Sequence, residues 1–193
     1  EGQTDASIRR MFTGYYKSEW QRMLESQLLR LAPGAEIISS DFGEPYDYQK
    51  EPLHISITYR IPDYALQTTD GMIFKPLLAS HLFRGGISHT YISTSMDERE
   101  YPFRDRCSRL VEIQEKIRIP EGMEAIRLDY SKSSDGEAAS YEGYVKQKGN
   151  TIEMYQKAVL NKRIYQPEDW PAVKSVVNAQ NEFAEMPVIL KKK

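Results

Sequence analysis

Cys107 is the only cysteine of the chain, and its thiol is the first group that could make this protein an enzyme. A cysteine nucleophile needs a base beside it, and the chain offers His54, His81 and His89 for that role. Cys107 directly precedes an alternating strand pattern, without the helix start that would lower its pKa. We therefore predict that Cys107 is not catalytic and that this chain is not an enzyme.

The same histidines show no metal-binding pattern. The separation of His81 and His89 fits neither adjacent turns of a helix nor alternate residues of a strand. With one cysteine and no acidic loop of calcium-binding spacing, the sequence predicts neither a metal site nor a cofactor.

Four tyrosines stand apart from every alternating or helical pattern. Tyr15 and Tyr16 precede the first predicted helix of this region, and Tyr46 and Tyr48 flank Asp47 in a polar loop. Exposed tyrosines can stack on sugar rings or anchor a protein partner. The alternative is that these rings pack over the edge of a sheet. We predict an interaction surface at these positions, with a protein or a glycan as the ligand.

The elements that position these residues follow from hydrophobic periodicity. The strongest signal is a hairpin over residues 140–163, in which β-favouring runs flank Gly149 and Asn150. Residues 53–61 and 110–119 alternate apolar and polar side chains, which is typical of antiparallel strands with one solvated face. Helical spacing predicts one helix over residues 18–31 and a second that begins at Pro167.

Weaker patterns complete the predicted fold. Residues 4–13 are predicted as an edge strand and residues 131–139 as a polar loop. Further short strands are predicted at residues 37–42, 72–78, 125–128 and 187–190. Together these elements predict a mainly β, α+β fold: an antiparallel β-sandwich with two flanking helices, in a single domain over residues 1–193.

Charge and hydrophobicity exclude several classes of partner. The chain of 193 residues carries 26 basic and 28 acidic side chains, which favours neither nucleic acid nor an anionic membrane surface. No apolar run approaches the ~18 residues of a membrane span. Because the chain begins at Glu1 and has no signal-peptide pattern, we expect a mature form or part of a longer polypeptide.

Several short motifs, spread over nearly the whole chain, resemble a known family. In chain order they are Gly14-Tyr15-Tyr16, Pro33-Gly34-Ala35, Arg99-Glu100-Tyr101-Pro102-Phe103, Ile117-Arg118-Ile119-Pro120-Glu121-Gly122, Gln166-Pro167-Glu168-Asp169-Trp170-Pro171 and Pro187-Val188-Ile189-Leu190-Lys191. The chain resembles a C-terminal domain of unknown function that follows a transglutaminase-like core in exported bacterial proteins. The resemblance implies a periplasmic or extracellular accessory domain, with any catalysis in the upstream core.

That core is papain-like and uses Cys, His and Asp in chain order, whereas all three histidines here precede Cys107. No catalytic residue is therefore transferred to this chain. Patterned residues begin by about Ala6, so we expect the domain to dock on the transglutaminase-like core of its own polypeptide. The alternative function is a carbohydrate-binding or cell-wall-binding β-sandwich that uses the loop tyrosines.

Overall fold

The computed structural model describes residues 2–49, 51–80, 92–126, 128 and 130–193 of the chain. Their contacts divide the chain into two compact units, which we describe separately. The described part of unit 1 comprises residues 2–49 and 51–64, and that of unit 2 comprises the remaining described residues. The single domain over residues 1–193 stays a prediction.

Unit 1 combines helices with a two-stranded antiparallel sheet. Its elements are α1 (Gly2–Thr13), α2 (Trp20–Leu31), β1 (Glu36–Asp41) and β2 (Ser56–Arg60). The buried Leu28, Ala32 and Ala35 form an apolar cluster against which Ile37 and Tyr59 of the sheet pack. Helix α2 and both strands were predicted, although β2 is shorter than its alternating pattern.

Helix α1 shows that the edge strand predicted over residues 4–13 was wrong. Asp5, Ile8, Arg9 and Phe12 share one helical face, and Arg9 and Phe12 are buried. Arg9 Nε donates a hydrogen bond to Asp5 Oδ2 at 2.8 Å, which pairs the two charges across one helical turn. Because half of this face is charged, hydrophobicity alone did not indicate its helical period.

Unit 2 is built from two antiparallel four-stranded sheets and a long helix. In chain order its elements are β3 (Leu66–Gln67), β4 (Gly71–Phe74), α3 (Leu77–Ser80), β5 (Phe103–Arg104), β6 (Arg109–Arg118), β7 (Met123–Ile126), β8 (Tyr130–Ser134), β9 (Ala139–Lys148), β10 (Thr151–Leu160), β11 (Ile164–Tyr165), α4 (Trp170–Glu185) and β12 (Val188–Lys192). The larger sheet has the order β6-β10-β9-β8, and the smaller has the order β3-β4-β12-β7. The short strands β5 and β11 pair separately.

Two apolar clusters fill the core of unit 2. In the first cluster, Trp170, Val173 and Val177 of α4 are buried with Tyr141 and Leu160 of the larger sheet. The second cluster joins both sheets to the end of α4, and its buried members are Ile119, Val145, Ile152, Met154, Phe183, Val188 and Leu190. The apolar face of the C-terminal helix is therefore part of the core, as its spacing predicted.

The hairpin of β9 and β10 confirms the strongest sequence signal. Its strands pair from Thr151 opposite Lys148 to Leu160 opposite Ala139. Gly149 in the turn has a φ of 59°, a left-handed conformation that glycine adopts without strain. The mainly β, α+β fold with antiparallel sheets is thus confirmed.

Two other predictions in unit 2 need correction. Residues 130–134 form β8 on the edge of the larger sheet, where residues 131–139 were predicted as a loop. Polar side chains such as Lys132 are common on edge strands, so the polar composition of β8 led to the prediction of a loop. The strand predicted over residues 72–78 ends at Phe74, and α3 begins at Leu77 after Pro76, a residue that cannot donate to a ladder.

The outward face of the larger sheet carries charges that alternate in sign across its strands. Two rungs over β6, β10 and β9 are Lys116–Glu153–Lys146 and Glu112–Lys157–Glu142. Between them, the rings of Tyr155 and Tyr144 stack with centroids 5.2 Å apart. Opposite charges directly across a pair of strands attract each other, so both rungs favour the observed register.

None of the described helices has the length and apolar character needed to cross a membrane.

Candidate functional site

The tyrosine surface, which we define as Tyr15, Tyr16, Tyr46 and Tyr48, lies in unit 1. Between 52% and 81% of each residue is exposed, a large fraction for rings of this size. Tyr46 and Tyr48 line an open depression of about 420 Å³ together with Glu44, Asp47 and Gln49. More than half of each of these residues is therefore accessible to a ligand.

A single arginine holds the loop over residues 43–52 that carries Tyr46 and Tyr48. Arg9 Nη1 donates to the backbone carbonyls of Glu44 at 2.8 Å and Asp47 at 2.7 Å, and Nη2 donates to the carbonyl of Glu51 at 2.7 Å. Only 3% of Arg9 is exposed. Charge-assisted hydrogen bonds of this kind are stronger than neutral ones, so the start, middle and end of the loop are fixed to helix α1.

Asp5 completes this arrangement beneath the loop. Its Oδ2 accepts from Arg9 Nε, and its Oδ1 accepts from the Leu53 backbone N–H at 2.7 Å. Burial raises the pKa of Asp5, but the hydrogen bonds from Leu53 and Arg9 outweigh burial and hold the pKa below its ordinary value. The ionised carboxylate is therefore the form that the folded loop favours.

Two buried aromatic side chains, Phe12 and Trp20, lie next to part of the tyrosine surface. The buried rings of Phe12 and Trp20 meet edge to face with centroids 5.3 Å apart, and the Tyr46 ring lies 6.0 Å from Trp20. Trp20 Nε1 donates to the Phe12 carbonyl at 2.7 Å and lies 3.4 Å from the carbonyl of Tyr15. Tyr15 and Tyr46 are thus neighbours of the same buried indole.

Tyr48 and Tyr16 have their own local contacts. The Tyr48 hydroxyl lies 3.3 Å from Thr13 Oγ1, and the Arg9 guanidinium carbon lies 5.8 Å from the Tyr48 ring centroid. The Tyr16 backbone N–H donates to the Glu19 carboxylate at 3.2 Å, while the Tyr16 ring is the most exposed of the four. All four tyrosines therefore project from backbone that helices and hydrogen bonds hold in place.

Sequence reasoning missed Arg9, whose partners are mainly backbone carbonyls. The available signal was the spacing of Asp5, Arg9 and Phe12, which places all three on one face of a helix.

The catalytic and metal-binding candidates do not form a described cluster. Cys107 is half-buried in unit 2, two residues before β6, which confirms its predicted strand context. His54 is exposed in unit 1, just before β2. His81 and His89 lie outside the described residues.

Residues 70–190 match the model of the DUF3858 family, which is described as a domain of unknown function with a solved structure. The chain belongs to the DUF3858 family. This match confirms the coarser part of the resemblance, a domain of unknown function, and gives no evidence of a transglutaminase-like core. Arg9 and the tyrosine surface lie outside the residues that match DUF3858.

Other comparisons add little to the DUF3858 assignment. No curated protein matches the chain. A crystal structure described as "a putative protease" from Parabacteroides distasonis matches with 17% sequence identity and a TM-score of 0.48. The match covers 65% of this chain and 24% of that one, so the chain spans about a quarter of that protein's length.

Proposed function

We propose that this chain is a non-catalytic interaction domain that binds a protein partner through the tyrosine surface. The observation that carries the proposal is the pairing of four exposed tyrosines with a loop fixed by the buried Arg9. Tyrosine is enriched at the energetic centres of protein interfaces. A loop that is already ordered loses little conformational entropy when it binds, which favours affinity.

The partner that we propose is a transglutaminase-like core in the same polypeptide, in the periplasm or outside the cell. This part of the proposal is supported by the sequence resemblance, whose motifs include Gly14, Tyr15 and Tyr16 at the tyrosine surface itself. The near balance of acidic and basic side chains agrees with a partner recognised by aromatic contact rather than by net charge.

Site-specific photo-crosslinking in the natural host tests the proposal. A photoreactive phenylalanine analogue replaces Tyr48 in the protein as its gene encodes it, and mass spectrometry identifies the crosslinked peptides. We expect crosslinks to a transglutaminase-like domain of the same polypeptide. The matched control places the analogue at Tyr144, on the outward face of the larger sheet, where we expect none. Crosslinks at Tyr48 only to a different polypeptide would reject the proposed partner, and equal crosslinking at both positions would reject the surface.

The second candidate is a glycan ligand, and the depression beside Tyr46 and Tyr48 favours it. Its lining combines two tyrosines with Glu44 and Gln49. Residues of these types can stack on sugar rings and bind sugar hydroxyls. NMR titration with soluble peptidoglycan fragments would distinguish the two candidates. Shifts in residues 44–49 that disappear in the Tyr48→Ala variant would support the glycan, whereas an unchanged spectrum would reject these fragments as ligands.

The non-catalytic character has its own test at Cys107. The Cys107→Ser variant should retain every activity of the natural protein, because Cys107 precedes an ordinary strand and sits at no helix start. Its thermal unfolding should match the parent chain. Loss of an activity without loss of folding would show that the accessory-domain proposal is wrong.

A further inference from the structure

Strand β6 forms one edge of the larger sheet of unit 2. Among the residues that the structure describes, only β10 pairs with it. Strand β6 has 10 residues, about twice the length of a typical strand, whereas β8 at the opposite edge has 5. A long edge strand presents a row of N–H and C=O groups that can pair with a further strand.

The pairing of β6 with β10 shows which backbone groups point to the free edge. The Ile119 N–H donates to the Asn150 carbonyl at 2.7 Å, so the backbone of Ile119 points towards β10. This direction alternates from residue to residue, and the register of β6 with β10 has no bulge. The even-numbered residues therefore direct their N–H and C=O groups away from β10. They are Leu110, Glu112, Gln114, Lys116 and Arg118, and all five are exposed.

Helices α3 and α4 lie on the inward side of the larger sheet. Helix α4 packs on β8, β9 and β10, where it buries Trp170 and Val173 with Tyr141 and Leu160. Helix α3 contacts both β6 and α4, which places it on the same side. The even-numbered side chains of β6 project from the opposite, outward face, where a partner strand can meet them.

The charges of β6 are complementary to those of a second β6 that runs antiparallel to it. About a two-fold axis through Gln114, Glu112 of each copy lies directly opposite Lys116 of the other copy. Leu110 then lies opposite Arg118. Every one of these pairs joins residues whose backbone groups point to the free edge, so each pair can exchange two hydrogen bonds. The total is about ten backbone hydrogen bonds, as many as a typical protein interface contains.

The same pairing continues the alternation of charge across the outward face. The rungs of a single copy are Lys146–Glu153–Lys116 and Glu142–Lys157–Glu112. Because Lys116 meets Glu112 of the second copy, the first rung of one copy joins the second rung of the other. Charge then alternates without a break over three strands of each copy. Opposite charges directly across neighbouring strands stabilise a sheet, so the outward face favours this alignment.

We propose that the chain forms a symmetric dimer in which two copies of β6 pair antiparallel about Gln114. The two larger sheets then form one continuous antiparallel sheet. An axis through Glu112 or through Lys116 would instead place like charges opposite each other, which selects the axis at Gln114. The interface uses residues of unit 2 and is independent of the tyrosine surface in unit 1.

Sedimentation velocity of the whole chain tests the proposal with two complementary charge variants. We expect the parent chain to be a dimer. Glu112→Lys and Lys116→Glu each place like charges at both symmetric positions, so each variant alone should dimerise roughly tenfold more weakly. An equimolar mixture should dimerise again, because the reversed charge of each variant then faces an opposite charge in the other. A monomeric parent chain, variants that dimerise like the parent, or a mixture that associates no better than its components would overturn the proposal.

Disulfide crosslinking in a Cys107→Ser background tests the register independently. Gln114 lies opposite its own counterpart, and the Cα atoms of such a hydrogen-bonded pair are about 5.5 Å apart, which suits a disulfide. Gln114→Cys should therefore form a covalent dimer on mild oxidation, detected by non-reducing electrophoresis. The matched control is Glu112→Cys on the same edge, whose counterpart lies roughly 14 Å along the partner strand and should not crosslink. Crosslinking of Glu112→Cys as strong as that of Gln114→Cys, or of neither variant, would show that this pairing is wrong.

Discussion

The loop over residues 43–52 in unit 1 and the β9–β10 hairpin in unit 2 are stabilised in opposite ways. Three carbonyls of the loop accept hydrogen bonds from one guanidinium, that of Arg9. The hairpin is held by a continuous backbone ladder, and each of its strands has a further paired neighbour in the sheet. The comparison predicts that the loop depends on one side chain, whereas the hairpin depends on the packing of its inward face.

Each unit contains one of the chain's two tryptophans, so the unfolding of each unit can be followed by its own fluorescence. Trp20 reports on unit 1 and Trp170 on unit 2. Replacing one tryptophan by phenylalanine assigns the fluorescence to the other unit.

The largest expected effect is in unit 2, at Trp170. Its side chain is fully buried, its ring lies 5.8 Å from the Phe103 ring, and its Nε1 donates to the Met96 carbonyl at 3.2 Å. Trp170→Ala should lower the free energy of unfolding by ~3–5 kcal/mol, measured by circular dichroism in a urea titration. Trp170→Phe should lose less, because it keeps a ring in the core. An unchanged unfolding midpoint in Trp170→Ala would show that α4 is not part of the core.

Removing the guanidinium of Arg9 should have the next largest effect, confined to unit 1. Arg9→Met should lower the stability of that unit by about 3 kcal/mol, because it removes the guanidinium that binds a partly buried carboxylate and three backbone carbonyls. Trp20 fluorescence in a Trp170→Phe background measures the change. The exposed neighbour Arg10 supplies the control, and Arg10→Met should have little effect. Equal losses in the two variants would contradict a loop held by one arginine.

Gly143 tests the inward face of the hairpin. Gly143→Ala should cost about 1–3 kcal/mol, because the added methyl group would overlap the Tyr141 ring. The cost should shrink when Tyr141→Ala is combined with it, since the ring that causes the overlap is gone. If the cost is the same with and without the ring, steric overlap with Tyr141 is not its cause.

The smallest expected effect is the acid sensitivity of unit 1. The pKa of Asp5 in the folded chain lies below its ordinary value. The carboxylate therefore stabilises unit 1 above a pH of about 3.9, the ordinary value, and this stability is lost as the pH falls through the lower folded pKa. Asp5→Asn should reduce this loss in an acid titration followed by Trp20 fluorescence. An identical acid transition in the two chains would exclude Asp5 as its source.

Sequence patterns predicted unit 2 better than unit 1, for a physical reason. Strands β6, β9 and β10 and helix α4 bury apolar side chains at regular intervals, and such intervals can be read directly from the sequence. Helix α1 instead buries Arg9 beside Phe12, so its interior face does not look apolar. The edge strand β8 has mainly polar side chains, and only its pairing with β9 reveals it.

For the tyrosine surface, the sequence predicted the exposed residues but not the contacts that hold them in place. The exposure of Tyr15, Tyr16, Tyr46 and Tyr48 was predictable because they fit no buried period, and their role as an interaction surface stays a prediction. The support beneath them was not predictable, because the carbonyls that Arg9 binds are present at every residue of a chain. Only the folded loop shows which three of them converge.

The alternating charges on the outward sheet face also discriminate between alignments of the strands. If β10 slid so that Glu153 took the place of Lys157, Glu153 would lie between Glu112 and Glu142. Sliding the other way would bring Lys157 between Lys116 and Lys146. Like charges directly opposite each other destabilise a sheet, so mispaired forms on either side of the native register are penalised. The solvated face thus helps to select the native alignment of β10 against both four-residue shifts.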